Sequence, residues 1–174
     1  MKKILAFTGS NHAMSINHQL IEFTASITTN MEVTVLDIRD WDVPMYSLDI
    51  DDESPARISE LIQLIDEYDG FMISSPEHNG GTPAFLKNIL DWLSRKKKGV
   101  FERKPIFLLS TSPGPGGGAT NLKYLIHSLP YQGAIIGASY SLPSFHSNYI
   151  DGQVIGDHLG ELKESIGEFK KSLN

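Results

Sequence analysis

Ser10, Ser15 and Asn17 place two hydroxyls and an amide in Thr8-Gly9-Ser10-Asn11-His12-Ala13-Met14-Ser15-Ile16-Asn17, between an apolar run and an amphipathic segment. Short polar side chains and free backbone N–H groups ahead of a helix are what a phosphate monoester requires, since several donors must meet its charge at once. Gly9 permits a tight turn there. The spacing and lysine of a P-loop are missing. Read alone, the segment is equally a polar lead-in to a helix capped by Ser15.

A second loop, Ser75-Pro76-Glu77-His78-Asn79-Gly80-Gly81-Thr82-Pro83, is richer than a turn needs. Its glycines let backbone approach a flat ligand and its prolines stiffen it. The plainer alternative is a turn that caps the next helix. A third loop runs Thr111-Ser112-Pro113-Gly114-Pro115-Gly116-Gly117-Gly118. With Ala119 it formally matches Gly-x-Gly-x-x-Ala, but it follows the wrong strand for a dinucleotide fingerprint, and Tyr140 to Leu142 sit where an acidic residue is needed. A glycine-rich edge along a ligand is the better reading.

The elements that must position these loops alternate. Ile4 to Thr8 is a short apolar run, and Ser15 to Ile27 sets Ile16, Leu20, Phe23 and Ile27 at helical spacing. Val33 to Ile38 reads as a strand, and Ser54-Pro55 as a cap with proline at the first helical position. Further strands are expected at Gly70 to Ser74, Pro105 to Ser110 and, more weakly, Ala134 to Ala138. Helices follow Pro83, span Ala119 to Leu129, and close the chain at Leu159 to Phe169. Ser139 to Gly156 has no period and reads as a surface loop or edge extension. Strand-then-helix repetition implies parallel strands with right-handed crossovers and helices on both faces. The expectation is one α/β domain over residues 1–174, a doubly wound five-stranded flavodoxin-like sheet of order 2-1-3-4-5. All three loops then meet at its carboxyl edge, where such sheets bind ligands.

The chain has 174 residues, 40% of them hydrophobic, which suits a single domain. It has no cysteine, which rules out disulfides, thiolate nucleophiles and cysteine-built metal sites. Net charge is −6, and the basic run Arg95-Lys96-Lys97-Lys98 complements a helix end rather than forming a nucleic-acid patch. No apolar stretch reaches membrane-spanning length, so a soluble cytoplasmic protein with no membrane and no nucleic-acid partner is expected. The six histidines show no metal-ligand spacing. No Gly-x-Ser-x-Gly elbow is present, and the acidic residues of a phosphoacceptor receiver are absent after strands one and three. The stripe Phe85, Ile89, Trp92 and Leu93 could face either the sheet or a second subunit.

These loops resemble those of the NAD(P)H-dependent FMN reductases. That family carries Gly-Ser-x-Arg-x-x-Ser-x-Asn after strand one, matched by Gly9 to Asn17. Its Pro-Glu-Tyr-Asn-Gly-Ser-x-Pro and Leu-Lys-Asn-Ala-Ile-Asp-Trp are similar to Pro76 to Pro83 and Leu86 to Trp92. Val43-Pro44-Met45-Tyr46 looks like its Leu-Pro-Leu-Tyr, and Ser112-Pro113-Gly114 falls at its third loop. Two positions depart: His12 stands for the arginine and His78 for the tyrosine.

The resemblance implies FMN as cofactor and NADPH or NADH as co-substrate, with hydride passing to a flavin that feeds free flavin, quinone or another small acceptor. It implies that Ser10, His12, Ser15, Ile16 and Asn17 surround the phosphate. Pro76, Glu77, His78, Asn79 and Gly80 would line the ring, with Ser112, Gly114 and Gly117 near its other edge. No side chain need act as acid or base, and Glu77 is expected to cap a helix or pair with Lys87 or Arg95. A homodimer or homotetramer is implied as well. A non-catalytic electron carrier and a flavin-binding partner module are the rival readings.

Overall fold

Strand residues alternate between two faces, and two helical layers bury both. The computed structural model describes residues 1–52 and 54–174. In chain order it contains β1 (Lys2–Thr8), α1 (Ile16–Ile27), β2 (Met31–Val35), α2 (Ala56–Glu67), β3 (Gly70–Ser74), α3 (Ala84–Lys96) and β4 (Pro105–Thr111). After these come α4 (Ala119–Ser128), β5 (Ile135–Leu142), the single turn α5 (Phe145–Asn148), β6 (Tyr149–Ile150), β7 (Gln153–Val154) and α6 (Asp157–Ser172). The main sheet has order β2-β1-β3-β4-β5, all parallel, as the sequence predicts. The central strands β3 and β4 are buried throughout, which is why they read as unbroken apolar runs.

Leu5, Phe7, Phe71, Ile73, Ile106 and Leu108 point to one face and pack with α2, α3 and α4. Ile4, Ala6, Met72, Phe107 and Leu109 point to the other, against α1 and α6. Of the stripe Phe85, Ile89, Trp92 and Leu93, the last three are buried in the core and Phe85 is partly buried against it, so the stripe faces the sheet. The Trp92 indole N–H donates to Pro44 O at 2.8 Å, fastening the long segment after β2 onto α3. Asn88 adds to this clasp by accepting from Tyr46 N and donating to Val43 O and Pro44 O.

Four local expectations change. β2 stops at Val35 rather than Ile38, because Asp37 Oδ1 accepts the Arg39 N–H and turns the chain. Pro55, not Ser54, is the N-cap of α2, and Ser54 Oγ bonds Ser59 Oγ instead. β5 runs well past Ala138 to Leu142 along β4, with an irregularity opposite Ile106/Phe107 that conceals its period. The remainder of Ser139 to Gly156 holds α5 and the hairpin β6–β7, whose turn Asp151-Gly152 has positive φ at both residues. Asp-Gly is the pairing such a two-residue turn favours, but its strands are too short to show alternation.

Candidate functional site

Residues Thr8, Ser74 and Thr111 end β1, β3 and β4 on the same edge, and the three loops rise side by side from there. Gly9 keeps the first loop tight: its N–H donates to Ser74 O, and a methyl at this position would press into Leu86. Ser10 Oγ then accepts from His12 N, His12 Nδ1 from Met14 N, and His12 O from Ser15 N. Ser15 caps α1 by accepting from His18 N, as expected. The N–H groups of Asn11, Ala13, Ile16 and Asn17 have no partner among the described residues. Those of Ile16 and Asn17 lie at the positive end of α1, whereas Asn11 and Ala13 border a separate hollow with Asp37 and Arg39.

Asn17 has a different role from the other polar residues of this loop. Its side chain is buried, and Oδ1 accepts from Thr111 N at 3.1 Å and Ser74 Oγ at 3.0 Å. Its Nδ2 donates to Thr111 O at 3.0 Å. One amide thus buckles α1 to the ends of β3 and β4.

The second loop and α4 hold each other. Glu77 Oε2 accepts the N–H groups of Thr120 and Asn121, while Asn121 Nδ2 donates back to Ser75 Oγ and Pro76 O. Glu77 is therefore a helix cap. Lys87 pairs with Asp91, and Arg95 with Asp51. His78 and Gly81 exchange backbone hydrogen bonds in both directions, so Asn79 and Gly80, both at positive φ, form a tight turn tip.

In the third loop Ser112 Oγ donates to Gly114 O, and Ser144 N donates to the same carbonyl. Gly117 has φ +58°, and a methyl there would strike Ser141 Oγ and the Leu142 backbone. Its glycine is thus demanded by packing against β5.

A cleft of about 310 Å³ opens between the loops. Ser10, His12, Ser15, Ile16, Asn17, Pro76, Glu77, His78 and Ser112 line it. Asn79, Gly80, Gly114 and Gly117, named with them from sequence, lie outside that lining. Met14, Thr111 and Pro113 line it too, without having been singled out. Met14 and Pro113 are apolar residues on exposed loops, the signal that marks them as walls for a flat group. Outside the cleft, Arg39 Nη1 donates to Ala13 O at 2.7 Å. The Arg39 guanidinium also holds the Asp37 carboxyl far below the usual carboxylate range, chiefly by side-chain hydrogen bonding.

The free N–H groups of Ile16 and Asn17, two hydroxyls and an imidazole share this cleft with Pro76 and Pro113, at the carboxyl edge of a flavodoxin-like α/β sheet. The family model for NADPH-dependent FMN reductases matches residues 2–147, and the chain belongs to that family. It is 33% identical to an Escherichia coli quinone reductase over 141 residues, 74% of this chain and 73% of the relative. It is 30% identical to an NAD(P)H-dependent FMN reductase of Schizosaccharomyces pombe, over 97% of this chain and 89% of that one. The solved structure of the flavoenzyme NAD(P)H:(acceptor) oxidoreductase from Paracoccus denitrificans superposes with TM-score 0.78 at 26% identity, covering 99% of each chain. FMN fits the residues present: the unpaired donors suit its phosphate, and the slot between Pro76–His78 and Thr111–Pro113 suits its ring.

Proposed function

We propose that this chain is an oxidoreductase that takes hydride from NADPH or NADH and passes electrons to a small acceptor, a quinone or free flavin. FMN, when bound, supplies the redox chemistry. The protein supplies position and hydrogen bonds. The N–H groups of Ile16 and Asn17, with the Ser10 and Ser15 hydroxyls and His12 Nε2, hold the phosphate. Each hydroxyl oxygen already accepts a backbone N–H, so its own proton is free to donate outward. Pro76, Glu77 and His78 back the ring on one side and Ser112 on the other, with Gly114 and Gly117 shaping the outer loop. Asn79 and Gly80 shape the turn that carries His78. The Asn17 side chain acts indirectly, by keeping the loops together.

No carboxylate or imidazole is required as proton donor here, and Glu77 is occupied by the α4 N-terminus. The observation carrying the reading is the convergence of three loops on one cleft whose lining includes Ile16 and Asn17, both with unpaired N–H donors. A homodimer or homotetramer in the cytoplasm is part of the proposal. Exposed Met45 and Leu48, beside the clasp on α3, supply apolar surface for self-association. No helix among the described residues is long and apolar enough to cross a membrane.

The test is purification followed by a visible spectrum, FMN titration, and NADPH or NADH oxidation with a benzoquinone. Flavin uptake with steady turnover supports the proposal. A colourless protein that takes up no FMN and oxidises neither nucleotide overturns it. Flavin uptake without turnover assigns an electron carrier instead.

A further inference from the structure

We propose that Arg39 is a positioning residue that sets the orientation and tautomer of His12 through a single peptide plane, an inference that rests on the FMN reading above. Arg39 lies outside the cleft, on the segment after β2, and its guanidinium is divided between two tasks. Nε and Nη2 grip both oxygens of Asp37 at 2.9 and 2.6 Å. Nη1 reaches across to the first loop and donates to Ala13 O at 2.7 Å. The Asp37 turn fixes this fork further, since Asp37 Oδ1 also accepts the Arg39 N–H at 3.1 Å.

The consequence follows from peptide geometry. The Ala13 carbonyl and the Met14 N–H belong to one planar trans peptide and point in opposite directions. Holding Ala13 O outward on Arg39 therefore turns the Met14 N–H inward, where it donates to His12 Nδ1 at 3.1 Å. A ring nitrogen that accepts a hydrogen bond carries no proton, so the neutral imidazole keeps its proton on Nε2. His12 lines the cleft and so presents an N–H donor to an anion there. Arg39 thus does from outside part of what an arginine within the loop would do directly.

The test uses the whole chain and two variants, Arg39→Met and His12→Ala, alone and combined. Nitrogen-15 NMR of the flavin-free wild type, with the imidazole neutral, reads the tautomer directly: Nδ1 unprotonated and Nε2 protonated is expected. A His12 proton on Nδ1 overturns the proposal whatever the variants do. In Arg39→Met the two tautomers mix, and FMN affinity falls about tenfold, the worth of one charge-assisted hydrogen bond. Riboflavin, lacking the phosphate, binds with less than about a twofold change, which general loosening of the fold would not produce. In the His12→Ala background the Arg39 substitution adds little. Equal losses for FMN and riboflavin, or an undiminished Arg39 effect without His12, overturn the relay. A wild type that binds neither flavin overturns the proposed function and this role with it, while the NMR result still reports on the peptide geometry.

Discussion

Replacing Asn17 with alanine tests whether the cleft depends on one buried amide. Three hydrogen bonds are lost at once, to Thr111 N, Thr111 O and Ser74 Oγ. At about 1 kcal/mol net each, and with buried Thr111 groups left unpaired, the cost is about 3 to 5 kcal/mol. That is a large share of the 5–15 kcal/mol typical of a domain. Urea unfolding of the flavin-free protein measures it directly. With a slope of about 2 kcal/mol per molar, the midpoint falls by about 1.5 to 2.5 M. The melting temperature drops by about 6 to 20 °C for a chain of this size. Ser15→Ala, which removes only the α1 cap, is the comparison and costs about 1 kcal/mol. If Asn17→Ala lies within 1 kcal/mol of wild type, its side chain faces the ligand and the buckle is refuted.

Four other substitutions probe the remaining loops. Glu77→Gln keeps an acceptor for Thr120 N and Asn121 N, so it costs only about 0.3 to 1 kcal/mol in urea unfolding and leaves the pH profile of NAD(P)H oxidation in place. A shifted or lost ionisation would instead make Glu77 a proton carrier. Gly117→Ala destabilises by about 2 to 4 kcal/mol, whereas Gly114→Ala, facing open space, changes stability by less than about 0.5 kcal/mol. Thermal melts of the pair decide whether packing alone demands the first glycine. The folded-state pKa of Asp37 is depressed, so its contribution is present above the ordinary carboxylate value, about 3.9, and is lost as pH falls toward the folded value. Because the pair is partly exposed and screened, Asp37→Asn costs below about 1 kcal/mol near neutrality. The gap from wild type narrows in acid.

The strands that were plain in the sequence are the ones buried on both faces, β3 and β4, where every residue is apolar or small. Edge strands were harder to read. β2 is half exposed and is cut short where Asp37 accepts the Arg39 N–H, and β5 is interrupted by a register skip at Gly137. The first and second loops were recognisable because Gly9, Ser15 and the Asn79-Gly80 pair each satisfy a local rule of turns or caps. The partners of those residues were not. Nothing in the spacing of Asn17 and Thr111, or of Asn121 and Ser75, marks them as contacts, since they meet only once the sheet order brings their strands together. The same holds for Arg39, whose target lies on another loop.

The reciprocal grip of Glu77 and Asn121 has a dynamic consequence. A wall whose two sides are each tied to the start of α4 cannot swing away while that helix stays wound. Amide hydrogens of Thr120 and Asn121 then exchange with solvent more slowly than those of an uncapped helix start. An incoming molecule meets a surface already ordered, so its affinity is not reduced by the entropy of freezing a floppy segment.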